Sequence, residues 1–373
     1  MSDRIFHRHT LATMFAARIL SERGTSGIFI SAPRRTGKST FIREDLTPML
    51  IDQGAEVIYV DLWSDRAADP GEMISSAIRA HLALNESKLL QWARKGGLNK
   101  VSVAGLQVDM TKVGVGSGET ISKGLSVLSD ATKVIIVLVI DEAQHAMTTQ
   151  KGADSLFALK AARDELNSSR HHGFRLIATG SNSDKLALLV NGKDQAFFGA
   201  PLVDLPYLDD DFLEWDRVRF GGISPSMNAM RQSFLLSGHR PEYIDQSLDT
   251  LSFKLDLNEE NIDERLLAEI QLKITNNKND FMRLVNSLPP VQFAVLKIMA
   301  EEGEIYSPFK ATTLDRYRLL CSDYSSEDVR VDNSSVQYAL DALRDKSLVW
   351  KSSRGVYAIE EGQHIAWLVS ELQ

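Results

Sequence analysis

The sequence predicts an α/β fold, with a three-layer α/β/α core around a parallel sheet, followed by a helical segment and a winged helix-turn-helix. Three observations predict it. A short apolar run, Ile28 to Ile30, enters a loop that ends in Gly37-Lys38-Ser39-Thr40 and opens a helix. A second run, Val134 to Ile140, holds no polar residue and ends in Asp141-Glu142. The C-terminal stretch 288–373 reads as three helices, two short β-like runs and a closing helix.

The first landmark, Ala32-Pro33-Arg34-Arg35-Thr36-Gly37-Lys38-Ser39-Thr40, has the spacing of a phosphate loop between strand and helix. Backbone N–H groups of a loop wrapped round a helix N-terminus converge on one point, where the helix dipole favours an anion. Gly37 lets the backbone approach the phosphates of ATP, Lys38 carries a charge to the β/γ oxygens, and the Ser39 hydroxyl can ligate Mg²⁺. The first glycine of the usual pattern is Ala32 here. Alanine is the smallest replacement, so the loop is read as a variant and not a loss.

The 373 residues exceed one ordinary core and predict two or three domains. Composition is globular, 43% hydrophobic and 25% charged. A net charge of −8 argues against a constitutive, charge-driven nucleic-acid binder. The first residues lack the apolar core of a signal peptide, and no run reaches the roughly 18 apolar residues that span a bilayer. The single cysteine, Cys321, excludes an internal disulfide framework and fits a reducing cytoplasm. A cytoplasmic protein with no membrane partner is the expectation.

In chain order, residues 8–22 have helical periodicity through Leu11, Met14, Phe15 and Ile19. The phosphate-loop strand follows, then a helix from Lys38 to about Gln53 and a strand from Glu56 to Asp61. Pro70-Gly71 starts a helical stretch predicted to reach about Lys95. Residues 98–117 break the β-α rhythm: Val101, Val103, Leu106, Val108 and Met110 suggest an inserted β-hairpin, either a partner contact or a solvent-exposed decoration. A helix from about Glu119 to Ala131 leads to the second landmark.

A continuous apolar run reads as a strand buried on both faces, and its C-terminal end is where open α/β sheets bind ligands. Asp141 is therefore the candidate for Mg²⁺ and Glu142 for polarising the attacking water. Ala143-Gln144-His145 is expected as loop, where His145 beside the acidic pair either responds to the nucleotide or, the favoured reading, packs or caps. A helix from about Asp154 to Asn167 precedes a strand, Phe174 to Thr179, that ends in Gly180-Ser-Asn-Ser183. Thr179, Ser181 and Asn182 compete to sense the γ-phosphate there; Ser181 is the choice and Asn182 the second. Pro201 to Pro206 is the expected fifth strand, helices run from Leu208 to Leu284, and Leu288-Pro289-Pro290 marks a boundary. The predicted domains are 1–206 for the core, 207–287 for a helical lid and 288–373 for the winged helix.

Ala-Pro-Arg-Arg-Thr-Gly-Lys-Ser-Thr, Val-Ile-Asp-Glu-Ala-Gln and Ala-Thr-Gly-Ser-Asn, at these distances, resemble the AAA+ and related STAND P-loop ATPases. The nearest likeness is to the archaeal-type and initiator-like groups, whose core is followed by a helical lid and a winged helix. The resemblance implies an ATPase in which Lys38, Ser39, Asp141 and Glu142 carry binding and hydrolysis. Gly238-His-Arg-Pro-Glu-Tyr resembles the lid motif and implies Arg240 as a second catalytic sensor, although Arg240 precedes Pro241 and a helix-start role for Pro241 competes. No arginine aligns as a finger; Arg170, Arg175 and Lys193 stay open.

The implied function is an ATP-dependent switch on a macromolecular client, with duplex DNA a candidate partner and ATP-dependent homo-oligomers a second expectation. The alternative is a STAND-type signalling or defence ATPase whose winged helix binds protein. Residues 288–373 hold nine Lys/Arg against thirteen Asp/Glu, and the presumed recognition helix sets Asp341 and Asp345 beside Arg344, unlike most DNA readers.

Overall fold

The computed structural model describes residues 5–25, 27–89, 102–103, 106–107, 113–114, 120–168, 171–181, 183–220, 222–324, 329–353 and 356–371. They form two compact units, Met1–Trp215 and Asp216–Gln373. The division into core, lid and winged helix at 206/207 and 287/288 remains a proposal.

In the first unit five strands build one parallel sheet: β1 (Ile28–Ser31), β2 (Glu56–Asp61), β5 (Ile136–Asp141), β6 (Phe174–Gly180) and β7 (Leu202–Asp204), in the order β2-β5-β6-β1-β7. The apolar run of β5 has its physical reason in this order. It is buried along its whole length, and its alternating side chains feed two cores. Val137 and Val139 join Phe15, Ile19, Phe41, Leu46 and Leu50 on one face. Ile136, Leu138 and Ile140 join Ile74, Ile78, Leu125, Leu128 and Leu159 on the other. Each such side chain contributes about 1.5–3 kcal/mol by leaving water, so a polar substitution anywhere along β5 is costly on either face.

Helices supply the outer layers. His9–Leu20 and the rod Lys38–Thr40, Phe41–Leu46, Thr47–Asp52 belong to the first face, and Pro70–Leu84, Ile121–Thr132 and Gln150–Leu166 to the second. Local chemistry fixes their starts. Asp69 accepts from the N–H groups of Gly71 and Glu72, Thr120 from Lys123, and Thr149 from Gly152. Thr149 thus starts its helix a turn before the expected Asp154.

Other expectations shift. Pro70–Leu84 breaks at Asn85 and helix resumes over 86–89, while residues 90–100, with the expected end near Lys95, lie outside the described residues. Of the predicted hairpin, Ser102–Val103 (β3) and Leu106–Gln107 (β4) pair antiparallel; Val101, Val108, Met110 and Glu119 lie outside the described residues. Ala143–Thr148 is a 3-10 helix where a loop was expected, and Ser183–Asn191 is a helix the pattern did not announce. The middle turn of the phosphate-loop helix, Phe41–Leu46, is π-type, a widening often found at functional sites.

The second unit starts at Asp216, within the helix Asp210–Phe220, and continues with helices Met227–Leu236, Pro241–Ser252 and Ile262–Asn286. A winged helix-turn-helix follows: helices Pro290–Glu302, Ala311–Tyr324 and Asn333–Asp345, an antiparallel hairpin of β8 (Val349–Ser353) and β9 (Val356–Ile359), and a closing helix Gly362–Glu371. Its core gathers Phe293, Leu296, Tyr317, Cys321, Val336, Leu340 and Tyr357. Cys321 is a buried core thiol, and burial pushes its pKa up. Pro289-Pro290 is the N-terminus of the first of these helices, with Pro290 where a missing N–H costs nothing. Among the described residues no helix is long and apolar enough to cross a membrane.

Candidate functional site

The carboxyl ends of the strands meet in register. Asp61 of β2 lies opposite Asp141 of β5, and Ser31 of β1 lies between Gly180 of β6 and Asp204 of β7. The loop leaving β1 therefore passes over the strand ends that carry the acidic pair. Its turn is built from two left-handed residues, Arg35 (φ 64°) and Gly37 (φ 88°). Such alternation aims successive N–H groups at one point. Gly37 has open space for a methyl, with Leu208 the nearest atom at 3.8 Å, so its φ, and not crowding, is what calls for glycine there. Thr36 Oγ1 donates to the Pro33 carbonyl at 2.7 Å and closes the loop on itself.

Lys38, the first residue of the helix, is 5% exposed and lies at the centre of the site. Its Nζ donates to Asp141 Oδ1 at 2.5 Å, to Glu142 Oε1 at 2.8 Å and to Thr179 Oγ1 at 3.0 Å. Burial alone would lower an ammonium's pKa, but Glu142 and Asp141 outweigh it and the net shift is upward. Asp141 is the mirror case. Burial pushes it up, yet the charge and hydrogen bond of Lys38, helped by Thr179 and Ser39, hold it at about 2. Tyr59 donates to Asp141 Oδ2 at 3.0 Å; burial, then the neighbouring carboxylate, push its pKa up.

Glu142 has left-handed backbone (φ 54°), which turns its side chain off the strand line. Its Oε2 accepts from Gln144 Nε2 at 2.6 Å and from Ser181, through Oγ at 2.9 Å and N–H at 3.3 Å. Burial raises its pKa, but Lys38 and then Gln144 bring the net shift down, so the carboxylate is ionised at neutral pH. Arg34 Nε donates to Ser181 Oγ at 3.3 Å. Its guanidinium lies 4.8 Å from the centre of the Trp63 ring.

The structure thus brings Lys38, Asp141, Glu142, Thr179, Ser181 and Arg34 together, with Ser39 on Asp141. Asn182 and Arg170 lie outside the described residues. Arg175 is held elsewhere. It belongs to the amino-terminal end of β6, where Nε donates to the Ile19 carbonyl at 2.9 Å and Nη1 to Asn167 Oδ1 at 2.6 Å. Lys193 is exposed beyond the helix Ser183–Asn191. Arg240, in the second unit, is the N-cap of the helix Pro241–Ser252 and lies over the Tyr243 ring at 5.6 Å, while Pro241 occupies the helix start. His145 packs on Trp63, ring centres 4.4 Å apart.

Tyr59, Trp63 and Gln144 were not singled out from the sequence. Tyr59 reaches Asp141 because β2 pairs with β5 and not with β1, a neighbour relation that spacing does not encode. The sequence pattern predicts loop at Gln144, whereas a 3-10 turn folds its amide back onto the residue two before it.

The donor set suits a hard cation. One carboxylate and one hydroxyl, with phosphate oxygens and water for the remaining positions, is the usual provision for Mg²⁺. Among the described residues there is no group of three or more His, Cys, Asp or Glu that could hold a metal ion.

No protein-family model matches the chain, and no curated protein matches it. Among solved structures, it is similar to the ORC1 protein of Aeropyrum pernix in complex with DNA, at 13% identity and a TM-score of 0.47, over 100% of this chain and 94% of that one. It is similar to the Aeropyrum pernix ORC2 protein in its ADP form, at 14% identity and a TM-score of 0.45, over 99% and 96%. The replication initiator DnaA bound to AMPPCP and single-stranded DNA is similar at 12% identity and a TM-score of 0.38, over 92% and 90%. Likeness of this degree carries no functional inference, which has to come from the chain's own geometry.

Proposed function

We propose that the chain is a Mg²⁺-dependent ATPase that acts as a nucleotide-driven switch on a macromolecular client in the cytoplasm. One observation carries this reading: Lys38, at the start of the phosphate-loop helix, lies within hydrogen-bonding distance of both Asp141 and Glu142. A buried ammonium between two carboxylates is a site ready to exchange one anion for another. ATP would take Lys38 through its β/γ oxygens, while residues 32–40, Pro33 excepted for want of an N–H, would cradle the phosphates with their N–H groups. Ser39 and Asp141 would hold the cation, which supplies charge stabilisation to the phosphate oxygens. Glu142, ionised and oriented by Gln144 and Ser181, would accept the proton of the attacking water. Arg240 is assigned to nucleotide response from the second unit on the motif resemblance alone.

Lys38→Ala tests the reading. ATP at about a hundred times its Kd stabilises a single-site binder by about 2.7 kcal/mol, a shift of several degrees in melting temperature. The wild-type protein is expected to show that rise with Mg·ATP and Lys38→Ala to lose it. An equal rise in both would remove the phosphate-loop assignment.

For the client, one observation favours protein over DNA. The outward face of helix Asn333–Asp345 presents Asn333, Ser334, Tyr338 (74% exposed) and Asp345, while Arg344 and Gln337 are engaged with Asp341 at 3.4 and 3.0 Å. DNA readers usually present several Arg, Lys, Asn or Gln side chains here, whereas this helix exposes one amide, Asn333, and no Arg or Lys. Duplex DNA stays the second reading.

A further inference from the structure

The Arg34 side chain has no part in the chemistry assigned above, yet its contacts lead straight to it. Its Nε donates to Ser181 Oγ at 3.3 Å, and the same hydroxyl donates to Glu142 Oε2 at 2.9 Å. Behind it, Trp63 provides a platform. The guanidinium carbons of Arg34 and Arg66 lie 4.8 and 4.7 Å from the ring centre, and His145 leans on the same ring at 4.4 Å.

We propose that Arg34 is a positioning residue for Glu142: held on Trp63, it fixes the Ser181 hydroxyl that orients the carboxylate, and it couples occupancy of the phosphate loop to that orientation. The proposal rests on the ATPase reading above. Two physical points support it. A hydroxyl that accepts from a cation is polarised into a better donor, so Arg34 strengthens the bond Ser181 makes to Glu142. Arg34 also lies within the loop that would close on the phosphates, three residues before Gly37. A loop that shifts on binding therefore moves the anchor of the carboxylate. Lysine is a poor substitute, since the contact uses a planar group on a ring and a side-facing Nε.

The experiment measures Mg·ATP turnover on the full chain for wild type, Arg34→Ala, Ser181→Ala and their double variant. Misplacing a catalytic group by about an ångström costs up to a hundredfold in rate. Each single variant is expected to lose roughly tenfold or more in kcat with KM nearly unchanged, and the double variant no more than Ser181→Ala alone. Trp63→Ala, which leaves the loop's own sequence intact, is expected to lose kcat likewise, and Trp63→Phe and Ser181→Thr to retain it. Wild-type turnover in Arg34→Ala or in Trp63→Ala, or losses that multiply in the double variant, would overturn the proposal while leaving the ATPase reading intact. Wild-type protein that binds ATP without turning it over would overturn that reading, and this one with it.

Discussion

Lys38 and Asp141 form an ion pair whose stability depends on pH in a definite direction. Asp141 is held at about 2 against an ordinary 3.8, so its stabilisation is present above the ordinary value and lost as pH falls toward the folded one. A carboxylate displaced that far contributes roughly 2 kcal/mol. The melting temperature of the wild-type protein is expected to fall between about pH 4 and pH 2, and the fall to be shallower in Asp141→Asn. An identical acid limb in the two proteins would show that the pair does not carry it. The raised pKa of Lys38 expresses the same interaction from the other side, and its share is lost only as pH rises past its ordinary 10.5. At this scale the sequence was legible where chemistry is written into consecutive residues: Gly37-Lys38-Ser39 and Asp141-Glu142 needed only spacing. Thr179 and Ser181 were both legible as candidates at a strand end, and the structure separates them: Ser181 donates to Glu142, while Thr179 donates to Asp141 and accepts from Lys38. Tyr59 and Trp63 were not legible, since their contacts depend on which strands are neighbours.

Strand β5 and the helix after the phosphate loop show why elements were easier to read than their edges. A strand buried on both faces must be apolar throughout, and Ile136–Asp141 has that composition. The helix Ser183–Asn191 follows Gly180-Ser181 so closely that its first turn resembles a loop in sequence. The π turn at Phe41–Leu46 carries no sequence signal, and it buries Phe41, Ile42 and Leu46 in one core. The winged helix announced itself through helix and hairpin spacing, whereas its ligand depends on surface charge. With Asp341 tied to Gln337 and to Arg344, affinity for duplex DNA is expected to be weak and nearly flat against salt. A titration from low to physiological salt checks this. A slope corresponding to several phosphate contacts, near −0.9 for each, would favour the DNA client.

The two compact units, Met1–Trp215 and Asp216–Gln373, place the phosphate loop in one and Arg240 in the other. Within the first unit, Arg175 is committed to carbonyls at the far end of its strand. We propose an arginine from a second copy as the source of charge for the γ-phosphate, with Arg240 acting in cis as the alternative. Specific activity is expected to rise with protein concentration, and light scattering across a dilution series with ATP is the check. A turnover number independent of concentration, on a particle that stays monomeric, would remove the case for assembly. The measurement that bears most directly on the whole account is ATP binding and turnover in Glu142→Gln beside wild type, with Mg²⁺ present. The account predicts that Glu142→Gln keeps the ATP-induced rise in melting temperature and loses hydrolysis by about a hundredfold or more, because Lys38, Ser39 and Asp141 survive and water activation does not. Hydrolysis at the wild-type rate in that variant would contradict it.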